Sequence, residues 1–268
     1  MTIWIDGDLQ PGNDVPRSKA FAPFETMGAK DAQLALWPRH LERLQGSAER
    51  LGLAFAPPPD LRAAAADVLL KNGESDGILR LALVPDDQGG GPARVVMGAR
   101  SRSPIQKVRL LPTVVERPAD APPGDMKAEP RRFYDEVRNQ AQDGGADDGI
   151  VVGNDGMLLE TALGNLWLRV DGVWRTPALD GRVLPGVARA LLLEFAKQAG
   201  FGFEERECTL DDLHHAEAMA HSNAVYGPRP ACLADDAGSA VGNADSLVAD
   251  ELGVVWQEAL ASFGGSGA

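Results

Sequence analysis

The stretch ADDGIVVGNDGMLLETALGNLWL, residues 146–168, carries the pattern on which the fold turns. Two apolar runs, GIVVG and MLLETALGNLWLRV, flank an NDG triplet at 154–156. Such runs, joined by Asn/Asp-Gly chemistry, read as strands closed by a tight turn. GVW at 172–174 pairs back across Asp171-Gly172. Downstream, LPGVARALLLEFAKQAG at 184–200 reads as a helix, with Pro185 near its start and Gly200 after its end. Upstream, EPRRFYDEVRNQAQ at 129–142 reads as another, because Pro130 is tolerated in a first turn. Beyond 200 come a short helix, LDDLHHAEAMA, an irregular strand, HSNAVYGPRPAC, with a Gly-Pro break, and an amphipathic helix over 245–263.

The other half alternates in the same way. WIDGDL is a short strand with a Gly turn. Residues 36–55 form a helix stopped by Gly52, APPPD at 56–60 breaks the chain, and 60–72 form an Ala-rich helix. GILRLALV at 77–84 and VVMGA at 95–99 make a hairpin around the loose turn 86–94. VRLLPTVV at 108–115 is a further strand. ERPADAPPGD at 116–125 has the composition of a linker. The expectation is an α/β (α+β mixed) chain with domains at 1–115 and 126–268. No repeat of solenoid period occurs.

Composition narrows the function classes. The chain has 268 residues, 44% hydrophobic and 24% charged, so bulk disorder is excluded. Its 30 Gly and 19 Pro exclude a coiled-coil rod. A net charge of −13 and no basic stripe argue against nucleic acid and against an anionic membrane surface. No apolar run reaches membrane-spanning length, and the first residues lack a signal-peptide core. Two distant cysteines, Cys208 and Cys232, fit a reducing compartment, so the expected location is cytoplasmic. The four histidines have no metal-ligand spacing, so no metal is expected. The glycines at 89–91 lack the GK[ST] of a P-loop, and no G-x-S-x-G elbow is present.

Two local features could carry chemistry. Lys127 follows the linker; alone, it reads as a solvated lysine. LPGVAR at 184–189 leaves bare N–H groups at a helix start. That makes either a phosphate cup or an ordinary helix terminus.

Read together, FETM at 24–27, HLERLQGSAERLGL at 40–53, Lys127, the 146–168 stretch, TP at 176–177 and LPGVAR occur in an order that resembles the class IV pyridoxal-phosphate enzymes. That family includes branched-chain and D-amino-acid aminotransferases and 4-amino-4-deoxychorismate lyase. The resemblance runs from about residue 24 to 231. It implies a two-domain fold of type IV, pyridoxal 5'-phosphate in the cleft, and a homodimer acting on a small amino-acid or aminodeoxychorismate substrate. It also implies that Lys127 carries the cofactor and moves the substrate's α-proton. Glu160 would pair with the pyridine nitrogen. Arg43 and the amides of Val187 and Ala188 would hold the phosphate, with Asn223 and Ala224 beside it.

KAEPRRFYDEVR is similar to a lyase-like K-x-x-x-R-x-x-Y-D-x-x-R pattern at Lys127, Arg131, Tyr134, Asp135 and Arg138. Asn223-Ala224 points the same way, since aminotransferases more often place Thr at the second position. The resemblance therefore implies a 4-amino-4-deoxychorismate lyase first. An amino-acid aminotransferase is the alternative, and a non-catalytic relative a further one. The family's R-G-x-x-Y-G-D-G segment before FETM and its S/T-R-G segment are missing, and both line the substrate side. Arg17, Arg100, Arg117 and Tyr226 remain as candidates for an anionic substrate, each with a surface or structural role as its alternative.

Overall fold

The computed structural model describes residues 1–12, 15, 17–85, 93–104, 107–234 and 244–264. The chain divides into two compact units: Met1–Pro104 with Met126–Pro130, and Ile105–Asp125 with Arg131–Ala268.

In the first unit, strands β1 (Thr2–Ile5), β2 (Asp8–Pro11), β3 (Ala22–Gly28), β4 (Ile78–Val84) and β5 (Arg94–Arg100) form most of an antiparallel sheet. The next strand, β6 (Val108–Val114), leaves for the second unit, and β7 (Ala128–Glu129) returns to complete the order β2-β1-β5-β4-β3-β7. Helices α1 (Trp37–Arg50) and α2 (Leu61–Lys71) cover one face. The alternation of ILRLALV in β4 decides the layers. Leu79, Leu81 and Leu83 pack with Leu44, Ala48, Leu61, Val68 and Leu69 of the helices. Ala82 and Val84 face the other way, with Phe24 and Val96. Helix α1 ends a turn earlier than the 36–55 reading. Gly52 adopts φ +66°, and the Leu53 amide turns back to the Ala48 carbonyl at 2.9 Å. Of the loose turn, residues 86–92 lie outside the described residues.

The second unit is built on a nine-stranded mixed sheet. Its strands are β6, β8 (Asp148–Val152), β9 (Met157–Thr161), β10 (Asn165–Val170), β11 (Val173–Pro177), β12 (Phe203–Arg206), β13 (Cys208–Thr209), β14 (Ala218–Asn223) and β15 (Gly227–Leu233). Their order is β12-β11-β10-β14-β15-β6-β8-β9-β13. Strand β6 runs parallel to β8 and β15. Helix α3 (Arg132–Asp143) lies in the connection from β6 to β8 and buries Phe133, Val137 and Ala141, one helical stripe. Gly156, at φ +79°, closes the β8–β9 hairpin. Asp171 at φ +52° and Gly172 at +76° close β10–β11, as a turn needing two positive φ values demands. Helix α4 (Val187–Ala199) follows Gly186 and ends at Gly200, φ +76°.

Helix α5 (Leu210–His214) is only the first half of LDDLHHAEAMA; Ala218 already belongs to β14. Gly227-Pro228 starts β15 rather than breaking a strand. The 245–263 helix comprises α6 (Ala244–Leu247), a π-helical stretch at Val248–Gly253, and α7 (Val254–Gly264). Its Glu251 accepts from Arg169 Nε and Nη2, each at 3.0 Å, and from Trp174 Nε1 at 2.7 Å.

The division at 116–125 is replaced by one set by strand pairing. Leu110 registers with Asp148, and Val108 with Ala231, so β6 belongs to the second sheet. The supposed linker is packed: a Cβ on Gly124 would sit 2.3 Å from the Arg182 carbonyl oxygen. Met126–Pro130 rejoin the first unit because β7 pairs with β3, and the Phe24 amide donates to the Lys127 carbonyl at 3.0 Å. Lys127 thus sits at the edge of the first sheet and not in a C-terminal domain. Helix α3 begins at Arg132, leaving Pro130 ahead of it. No helix among the described residues is long and apolar enough to cross a membrane.

Leu81, 1% exposed, lies in the layer joining α1 and α2 to the sheet. Leu81→Ala is expected to cost about 2–5 kcal/mol in denaturant unfolding, with an unchanged m-value.

Candidate active site

In the first unit, β3 places Phe24 and Glu25 on opposite faces. Glu25 meets α1, where His40 and Arg43, three residues apart, share a face. Arg43 Nε donates to Glu25 Oε1 at 2.8 Å and Arg43 Nη2 to Oε2 at 2.6 Å. His40 Nδ1 lies 2.7 Å from Oε2. Burial alone would raise the Glu25 carboxyl, but the Arg43 guanidinium and His40 override it and hold it at about 2. Burial lowers His40, so the ring is neutral with its proton on Nδ1, and Nε2 is left buried with no hydrogen-bond partner. Two of Arg43's five N–H bonds go to Glu25, which fixes the plane of the guanidinium.

On the other face, Lys127 Nζ lies 4.8 Å from the centre of the Phe24 ring. The Arg80 guanidinium stacks on the same ring at 3.7 Å and donates to Glu129 at 2.7 Å. Arg17 and Arg100 are also in this unit, both exposed.

The second unit holds the remaining candidates. Glu160, on β9, is 3% exposed. Its Oε1 accepts from Tyr134 Oη at 2.5 Å and its Oε2 from the Leu184 amide at 3.1 Å. Burial raises its carboxyl to about 7 against these donors. Arg117 donates to Tyr134 Oη at 3.0 Å and to the Pro122 carbonyl at 3.0 Å.

Val187 and Ala188 open α4 behind Gly186, which brings no side-chain cap. A Cβ at Gly186 would lie 2.0 Å from Asn165 Oδ1. Asn165 also donates to the Leu184 carbonyl at 3.0 Å, pinning the loop that leads into the helix. Asn223 closes the β14–β15 turn: its Oδ1 accepts from the Val225 and Tyr226 amides, each at 3.1 Å. Ala224 sits inside that turn. The Tyr226 ring lies 4.3 Å from the Arg229 guanidinium.

Each unit therefore assembles its own share of the expected set. Arg43 and Lys127 stand in one; Glu160, Val187, Ala188, Asn223 and Ala224 in the other. Glu25 and His40 are additions to the residues expected from the sequence, although FETM and the His40/Arg43 helix spacing held the signal. Tyr134 stands in the KAEPRRFYDEVR pattern with no role assigned by the sequence. The donor set fits pyridoxal phosphate. The first unit offers a primary amine and a guanidinium, and the second a buried carboxylate suited to a ring nitrogen and an uncapped helix start, where a Cβ on Gly186 would displace Asn165.

The Amino-transferase class IV family profile matches residues 22–233. The chain is 28% identical over 253 residues to the bifunctional aminodeoxychorismate lyase / D-amino acid transaminase of Mycobacterium tuberculosis, covering 82% of this chain and 86% of that one. Among solved structures it resembles a protein proposed to be a 4-amino-4-deoxychorismate lyase from Legionella pneumophila. That match has 22% identity, coverage of 89% and 91%, and a TM-score of 0.77. It also resembles the T.th. branched-chain amino acid aminotransferase with pyridoxamine 5'-phosphate, at 22% identity, coverage of 98% and 94%, and a TM-score of 0.80. The chain belongs to the class IV aminotransferase family, an enzyme family whose cofactor is pyridoxal 5'-phosphate.

Glu25 links this site to stability. Its carboxyl is held at about 2 against an ordinary 4.5, so its contribution is complete above pH 4.5 and is lost as pH falls towards 2. Glu25→Gln is expected to flatten the acid limb of a plot of denaturation midpoint against pH over that range. Parallel limbs for wild type and variant would show that Glu25 does not carry it.

Proposed function

We propose that the chain is a 4-amino-4-deoxychorismate lyase, releasing pyruvate and leaving 4-aminobenzoate. The observation that carries this reading is the match, along most of the chain, to a relative named for that activity. The lyase-like run KAEPRRFYDEVR and the small Ala224 beside Asn223 support it. Amino-acid transamination is the second reading, since the same relative is also named a transaminase. We place the enzyme in the cytoplasm as a homodimer.

In this reading, bound pyridoxal phosphate supplies the electron sink for the pair left when the α-proton departs. The chain does the rest. Lys127 Nζ anchors the cofactor and then takes the proton from the substrate carbon that bears the amine. The carbon–oxygen bond to the enolpyruvyl group breaks, the ring becomes aromatic, and the departing three-carbon unit receives a proton, which Lys127 supplies. Glu160 holds the proton at the pyridine nitrogen. Arg43, oriented by Glu25, and the amides of Val187 and Ala188 bind the phosphate.

The deciding experiment has two arms. Borohydride reduction of the cofactor-loaded protein is expected to fix pyridoxyl mass on the Lys127 peptide; mass on Lys107 or Lys197 overturns the assignment. Aminodeoxychorismate is then expected to yield 4-aminobenzoate and pyruvate with no keto acid present. Stoichiometric amination of the cofactor by single amino acids, reversed by 2-oxoglutarate or pyruvate, selects the transaminase instead.

Glu160→Gln keeps the shape but cannot hold the ring proton. Turnover is expected to fall about a hundredfold or more, while the cofactor stays on Lys127. Unchanged turnover would assign the ring nitrogen to another acid.

A further inference from the structure

Segment 116–125 and helix α3 bring two side chains to Glu160 that the proposed mechanism does not use. Tyr134 Oη donates to Glu160 Oε1 at 2.5 Å and accepts from Arg117 Nη2 at 3.0 Å. A guanidinium has only donors, and a phenol has one proton. Arg117 therefore occupies a lone pair of Tyr134 and commits that proton to Glu160. Arg117 is itself fixed, since Nη1 donates to the Pro122 carbonyl at 3.0 Å and the guanidinium lies 4.1 Å from the Phe133 ring centre. The second oxygen of Glu160 takes the Leu184 amide at 3.1 Å. Arg131 is a further charged group facing Glu160 among the described residues, and its Nη2 donates to the Ala162 carbonyl at 2.6 Å.

We propose that Tyr134 and Arg117 form a one-way donor chain, Arg117 to Tyr134 to Glu160, that favours the ionised form of the Glu160 carboxylate against burial and orients it for the pyridine nitrogen. The inference rests on the role proposed above for Glu160. A carboxylate offers about four lone-pair sites, so two protein donors leave acceptor positions for a ring N–H. Burial alone would neutralise Glu160, and a neutral acid cannot hold a pyridinium proton. Tyr134 stays protonated, because burial and the adjacent Glu160 push its hydroxyl well above the ordinary phenol range. Both are positioning residues, acting through Glu160.

The test uses Tyr134→Phe and Arg117→Met, the second keeping an apolar stem against Phe133. In the cofactor-free protein, ¹³C NMR follows the Glu160 carboxyl titration. Tyr134→Phe is expected to raise its midpoint by ~1 pH unit or more, and Arg117→Met to raise it by less. In the loaded enzyme, kcat is expected to fall by about tenfold or more in Tyr134→Phe, with KM within about twofold. Borohydride labelling of Lys127 should match wild type in both variants. A Glu160 midpoint unchanged in both, with wild-type kcat, overturns the donor chain. Absence of label on Lys127 in the wild-type protein removes instead the site reading on which it rests. Should Tyr134→Phe fail to fold, Arg117→Met decides by the direction of the Glu160 shift alone.

Discussion

A carboxylate taken out of water must be supplied with donors or lose its charge, and Glu25 and Glu160, 1% and 3% exposed, are two of the carboxylates this chain buries. Their surroundings drive them apart. Glu25 receives a two-point guanidinium and a histidine and is held at about 2. Glu160 receives a phenol and a backbone amide, both neutral, and burial carries it to about 7. The first stays an anion down to about pH 2 and fixes the orientation of the Arg43 guanidinium. The second is poised, so that a small change in its donors alters its protonation near neutrality. A structural anchor and a tunable acid thus come from one side-chain type, separated by the charge of the donors around it.

Much of this was legible in the sequence where local chemistry dictates it. The NDG and Asp171-Gly172 turns need positive φ, and the structure has it there. Gly52 and Gly200 stop helices because they alone adopt the left-handed region at low cost. The alternation of ILRLALV sorted the two faces of β4. The failures were of pairing, which no local window reports. Val108–Val114 reads as a strand from its own residues, but only its parallel partners β8 and β15 assign it to the second sheet. ERPADAPPGD has linker composition, yet Gly124 is there for close approach to Arg182 and Pro122 for a carbonyl that holds Arg117. Lys127 stood out as a residue, and its neighbour Phe24 became visible only when β7 paired with β3.

The same limit explains the hidden partners of the site. Glu25 is fifteen residues from His40 and eighteen from Arg43. Helix spacing places His40 beside Arg43, but nothing in the sequence names the acid opposite them. Tyr134 and Glu160 are 26 residues apart, on a helix and a strand that meet through the crossover from β6 to β8. LPGVAR was readable as a helix start because its cause is local. The reason for its glycine was not: a Cβ there would run into Asn165 of β10.

The turn after β14 shows how far buried polarity reaches. Burial and Arg229 hold His221 near 3, so the ring is neutral. Asn223 Nδ2, which can only donate, lies 3.1 Å from His221 Nε2, so that nitrogen is the acceptor and the ring proton is on Nδ1. Nδ1 then donates to Thr161 Oγ1 at 3.1 Å, and the Thr161 hydroxyl passes its proton to the Gly164 carbonyl at 3.0 Å. Buried Asp148 faces the same pair, with Oδ2 3.7 Å from His221 Nδ1 and its carboxyl within reach of the Thr161 hydroxyl. Asn223 must present its amide nitrogen to His221 and its oxygen to the Val225 and Tyr226 amides, a division that an aspartate, with two acceptor oxygens, cannot make. Asn223 and His221 thus join the turn that carries Ala224 to Thr161, the residue that follows Glu160.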